Sequence, residues 1–219
     1  MPETLPPQLR RSLAVGAIFD AFRQTLTNRQ TLGYAVTAGG VLGALFAFVF
    51  CSQQVFTEIY HLGHYFPIAF AAAAIGTAIA GFINSRFVDR LGMRVISHAA
   101  LLGYVAIAGV MLLAVKLQML PLPLFMVLSL LMMFTFGLMI SNFTALAMEP
   151  QGRIAGTASS LYGSITTLLG IAIGSAIGQH YDGTLLPFAT GFFLCTLASL
   201  GVVLVVERGR LFKPHQMAA

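Results

Sequence analysis

The sequence predicts an all-α polytopic membrane protein with six transmembrane helices. Three observations predict it. The chain is 58% hydrophobic and only 9% charged, with a mean hydropathy of +0.86, whereas soluble domains carry about 25% charged residues. Six apolar stretches are each long enough to cross a hydrocarbon core of about 30 Å, which takes ~20 residues of helix. The basic residues alternate between the connections, as topology requires of a multispanning chain.

Residues 1–30 form a cytoplasmic linker. Nothing apolar follows its basic start closely enough to act as a cleavable signal, so the first span itself is expected to drive insertion. Within the linker, Val15, Ile18, Phe19, Phe22 and Leu26 recur at helical spacing, with Arg11, Asp20, Arg23 and Thr27 between them. This is a short amphipathic helix, either lying on the inner membrane surface or packed under the bundle, and the two are compatible.

The transmembrane bundle covers 31–206. Its spans are expected at 31–52, 65–84, 95–115, 122–143, 157–179 and 186–206. Pro121 and Pro123 open the fourth and Pro187 the sixth, where a missing N–H costs little. None of the six contains Asp, Glu, Lys or Arg, each of which costs at least ~2.5 kcal/mol at the membrane centre. Residues 207–219 form a cytoplasmic tail. Eleven of the twelve lysines and arginines fall in the linker, the second and fourth connections and the tail, leaving Lys116 alone on the other side. The positive-inside rule then places both termini in the cytoplasm.

Two stripes mix weak polarity with soft or aromatic bulk. One on the first span holds Tyr34, Thr37, Phe48 and Ser52; one on the fourth holds Met132, Thr135, Met139 and Asn142. Such a surface suits a cavity for small hydrophobic molecules, because methionine repacks around varied shapes and a few hydroxyls and amides fix orientation. Plain helix packing is the competing reading for any one of them. On the fifth span, Gly163, Gly170, Gly174 and Gly178, joined by Gly156, Ser160, Ser164 and Thr167, form a small-residue face for close helix packing. Spacing leaves open whether its partner lies within the chain. The second span aligns Ala73, Thr77, Ala80 and Asn84 in a similar way.

The connection after the second span carries Asp89, Arg90, Gly92 and Arg94. A carboxylate beside arginines, with a glycine to turn the chain, reads as a gating loop that locks to a neighbouring helix end. A topogenic basic loop is the bland alternative. Other chemistry is poorly supported. Cys51 and Cys195 sit in apolar runs and read as core residues. His61, His64 and His180 fall in outer connections and read as exposed side chains, so no metal site is expected. His98 reads as a polar anchor at the start of the third span. No serine shares a depth with a histidine as an intramembrane protease would need. No nucleotide loop occurs, and the basic residues form no nucleic-acid patch. The chain is therefore not expected to be an enzyme or to need a cofactor.

Several stretches together resemble a known family. Residues 2–7 read Pro-Glu-Thr-Leu-Pro-Pro and 29–34 read Arg-Gln-Thr-Leu-Gly-Tyr. Residues 89–92 read Asp-Arg-Leu-Gly, 142–150 Asn-Phe-Thr-Ala-Leu-Ala-Met-Glu-Pro and 155–159 Ala-Gly-Thr-Ala-Ser. Over nearly its whole length the chain is similar to the C-terminal half of the Bcr/CflA, bicyclomycin-resistance type drug efflux transporters of the major facilitator superfamily. The resemblance implies half of that fold, two inverted three-helix repeats, with the first and fourth spans on a central cavity and the second and fifth against a second half. It implies that Asp89 meets a helix end of that half. It also implies proton-coupled efflux of hydrophobic drugs or small metabolites in the bacterial inner membrane. The resemblance places the coupling residues in the other half; no carboxylate falls in these spans. The partners expected are the lipid bilayer, a small hydrophobic substrate, and a second six-helix half or a second copy. A non-transporting fragment or assembly partner is the alternative.

Overall fold

The structure is a computed structural model and describes residues 15–212. Seven α-helices follow one another: α1 (Val15–Thr27), α2 (Arg29–Gln54), α3 (Phe66–Leu91), α4 (Met93–Lys116), α5 (Leu122–Met148), α6 (Ala155–Gln179) and α7 (Leu186–Val206). The last six are long and apolar enough to cross a membrane. Among the described residues there is no strand.

Local chemistry sets several of the ends. Asn28 caps α2 by accepting from the Thr31 N–H at 3.0 Å. Prolines occupy the first turns of α3, α5 and α7. A π-helical turn (Val55–Ile59) extends α2 at the far end. The main departure from expectation concerns the connection after the second span. Arg86, Asp89 and Arg90 lie not in a loop but in the closing turns of α3, and Gly92 alone separates α3 from α4. Gly92 takes φ 83°, ψ 149°, a conformation open to glycine and strained for other residues. The physical reason is length: α3 has 26 residues, so at about 1.5 Å per residue it outruns a hydrocarbon core of about 30 Å and carries its charges into the interface.

α2 and α5 run side by side through the middle of the bundle. α6 packs along α2 and α3 along α5; α7 packs on α2 and α4 on α5; α4 and α7 meet behind them. Exchanging α2 with α5, α3 with α6 and α4 with α7 maps this pattern onto itself. The second helix of each three-helix repeat thus packs on the first helix of the other repeat, so neither repeat closes a core alone. The interior is filled at one end by rings: Phe48 lies 5.7 Å from Phe70, 6.2 Å from Phe188 and 6.5 Å from Phe125, centroid to centroid.

α1 lies under the start of α6, where Ala21 is buried against Ile154 and Ala158. Phe19, Phe22 and Leu26 remain exposed. One face of this helix packs under the bundle and an apolar stripe points away from it. The side chains of Val15 and Ile18, and Arg11, lie outside the described ones.

Candidate functional site

The most concentrated chemistry lies where α2 and α4 begin and α5 and α7 end. Because Gly92 turns the chain so tightly, Arg94 enters the first turn of α4 pointing inward. Its guanidinium reaches Glu149 Oε2 at 2.9 Å and Glu207 Oε1 at 3.4 Å. The planar fork of arginine suits such a bridge between two carboxylates. Glu149 also accepts from Gln30 Nε2 at 2.8 Å. The Glu207 side chain is 1% exposed against 47% for Glu149, so Glu207 is the buried charge and its bonds matter most. Tyr34 donates its hydroxyl to Glu207 Oε1 at 2.6 Å, and His98 Nε2 lies 3.0 Å from the same hydroxyl. The Phe212 N–H donates to His98 Nδ1 at 3.2 Å. Beside this cluster Gln151 donates to Thr31 Oγ1, which donates to the Ala147 carbonyl, both at 2.8 Å. The network ties helix ends from both repeats and the tail into one polar plug.

All eight residues of the two mixed stripes are buried in the bundle. Tyr34 belongs to the plug and also packs on Phe143 at 5.4 Å. Thr37, Ser52 and Thr135 donate to carbonyls of their own helices, at Gly33, Val49 and Leu131. Phe48 is central to the ring cluster, and Met132 and Met139 are fully enclosed. Asn142 differs. Its amide donates to Asn84 Oδ1 on α3 at 2.7 Å and to the Leu138 carbonyl at 2.6 Å, and Ser141 beside it is exposed. Asn84, Ser141 and Asn142 thus make a polar edge where α3 meets α5.

The glycine face of α6 divides in two. A Cβ on Gly170, Gly174 or Gly178 would stand 3.0, 2.5 or 3.4 Å from Leu42, Phe46 or Phe50 of α2, so these three pack within the chain. Gly163 has nothing within 4 Å, nor has Gly156, and Ser160, Ser164 and Thr167 are exposed beside them. α3 meets α5 by the same device: a Cβ on Gly76 would fall 2.3 Å from the Leu130 carbonyl oxygen.

Of the four loop residues, Arg94 alone turns inward. Asp89 and Arg90 are exposed at the end of α3 and form no ion pair among the described residues. His61, His64 and His180 are exposed, whereas His98, read as a polar anchor, is buried in the plug. Sequence reading missed Glu149 and Glu207 as partners of Arg94. The available signal was a carboxylate just past the fourth and sixth spans, on the side that carries the basic residues. At the opposite end, Tyr60 donates to the Leu120 carbonyl at 3.0 Å, and burial pushes its hydroxyl well above the ordinary tyrosine value. Asp182 accepts from the Thr184 hydroxyl and N–H, which hold its carboxyl below the usual range.

The chain is 30% identical over 199 residues to an uncharacterized MFS-type transporter of Bacillus subtilis, YdgK, covering 89% of this chain and 48% of that protein. It is 29% identical over 204 residues to a bicyclomycin resistance protein homolog of Haemophilus influenzae, covering 91% of this chain and 50% of that protein. The chain therefore spans about half the length of the curated relatives it matches. No family model and no solved structure matches it.

Proposed function

We propose that this chain, a membrane-embedded member of the major facilitator superfamily related to bicyclomycin-resistance proteins, works as the C-terminal six-helix half of a drug or metabolite exporter. The observation that carries this reading is the open face of α6. Gly156, Ser160, Gly163, Ser164 and Thr167 present small and weakly polar groups, and among the described residues nothing lies within 4 Å of a Cβ at Gly156 or Gly163. In lipid, such a surface gains from close contact with another helix. Asp89 points the same way. It sits in the last turn of α3, at the unfavourable end of that helix's dipole, and forms no ion pair among the described residues. A helix N-terminus on a second bundle would supply what it lacks.

In the assembled protein the exported molecule would lie between the bundles, against the polar edge of Asn84, Ser141 and Asn142. The other stripe residues, Tyr34, Thr37, Phe48, Ser52, Met132, Thr135 and Met139, would back that surface from within the bundle. Proton coupling is assigned to the second half, and both termini to the cytoplasmic side of the inner membrane. The test is drug susceptibility and proton-driven dye efflux in cells expressing this chain alone, beside cells co-expressing a first half from a related transporter. Efflux only with the first half supports the proposal. Efflux from the chain alone would mean that a homodimer works and that coupling is misassigned. Silence in both would leave an inactive fragment as the better reading.

A further inference from the structure

Two bonds fix the protons on His98. The Phe212 N–H can only donate, so Nδ1, 3.2 Å away, accepts and carries no hydrogen. The Tyr34 hydroxyl has one hydrogen and directs it to Glu207 Oε1 at 2.6 Å. His98 Nε2, at 3.0 Å from that hydroxyl, must therefore supply its own. These independent constraints give one neutral tautomer, with the hydrogen on Nε2.

The acceptor at Nδ1 holds the chain's C-terminal segment. After α7 the backbone turns back, with the Gly209 N–H donating to the Leu204 carbonyl at 2.8 Å and the Arg210 N–H to the Glu207 carbonyl at 2.9 Å. Leu211 packs against the core, and the Phe212 ring stands edge-on to the imidazole at 6.0 Å. Residues 208–212 thus form a hook from the end of α7 to the start of α4, its tip bonded to one imidazole nitrogen. Among the described residues, the groups around that ring are Tyr34 from α2, Arg94 from α4 one turn earlier, Glu207 beyond α7, and Glu149 after α5, which Arg94 also binds. Arg29 turns to the Val205 carbonyl, and Arg208 and Arg210 of the hook are exposed.

We propose that His98 is a proton-binding site and that proton uptake at its Nδ1 releases the C-terminal hook. A proton from solvent at this end of the bundle takes the Nδ1 lone pair, and the bond from the Phe212 N–H is lost because two donors then face each other. No other bond of the ring need break, while the segment beyond α7, left with its turn bonds at Gly209 and Arg210 and the Leu211 contact, opens more often. Nε2–H still meets Tyr34, and Tyr34 still reaches Glu207, whose carboxylate supports the cation through one hydroxyl. The site is a property of this chain and holds whether or not the chain exports anything.

The test uses the full chain in lipid nanodiscs, with Cys51→Ala and Cys195→Ala, and a spin label on Arg210→Cys. Between about pH 8 and about pH 4, a range wide enough for an enclosed imidazole, the mobile component of the spectrum rises several-fold in one transition. In His98→Asn, whose Oδ1 accepts but does not titrate, the label stays immobile throughout. A flat response in the parent, or the same transition in His98→Asn, overturns the proposal. Should His98→Asn not fold, imidazole nitrogen NMR of the unsubstituted chain decides. A bare Nδ1 at high pH that gains its proton together with the mobility change supports the site. A hydrogen on Nδ1 at high pH overturns it.

Discussion

At the scale of single residues, the buried end of the plug depends on Arg94. Glu207 is almost wholly enclosed, and Arg94 and Tyr34 are bonded to it. Taking the guanidinium away removes the charge 3.4 Å from a buried carboxylate, and breaking a buried pair costs about 3–5 kcal/mol. Arg94→Met is therefore expected to lower the thermal midpoint of the purified chain by many degrees. Arg94→Lys should recover only part of the loss, because an ammonium cannot span two carboxylates as a fork does. If Arg94→Met melts within a degree of the parent, the plug is incidental to stability. Arg94 was visible in the sequence as a member of a basic connection. Its partners were not, because Glu149 and Glu207 are 55 and 113 residues away along the chain and only the packing of α4 against α5 and α7 brings them together.

At the scale of helices, α6 offers a controlled comparison. A side chain at Gly174 would drive into Phe46 Cβ at 2.5 Å and the Ala47 nitrogen at 3.1 Å, so α6 must move off α2. Overpacking of this kind costs about 1–3 kcal/mol. Gly163→Leu meets open space and should leave the melting of the isolated chain unchanged. The same substitution should cut co-purification with a first half several-fold if the open face is the interface. Equal destabilisation by Gly174→Leu and Gly163→Leu would contradict the division of the face. It follows that a crosslinking probe for a neighbouring bundle belongs at Gly163 and not at Gly174. The existence of each helix was legible from apolar length, since every backbone group in lipid must be bonded within the segment. The partner of the glycines was not, because small residues look the same whether the helix they approach is α2 or a foreign one.

At the scale of the whole molecule, the start of α2 and the end of α7 share one polar plug, so both ends of the bundle's chain lie on the same side. The basic residues are predicted to hold that side in the cytoplasm. With Cys51 and Cys195 replaced, a cysteine at Lys116 should react with a membrane-impermeant maleimide in intact cells. One at Arg90 should react only after the membrane is opened. The reverse pattern would invert the topology and with it the direction assigned to transport.

What the sequence determined by itself was the membrane class, the six helices and the predicted alternation of sides. Each follows from a local quantity: apolar length, or the count of positive charge in a short connection. What only the tertiary structure decided was where side chains go once the helices meet. Tyr34, Phe48, Met132 and Met139 are equally suited to a cavity wall and to a packed interior, and the pairing of α2 with α5 put them inside. His98 bonds both Tyr34 and Phe212 because α7 returns its tail to the start of α4. Such outcomes depend on contacts between helices far apart in the chain, and no window of sequence contains both partners.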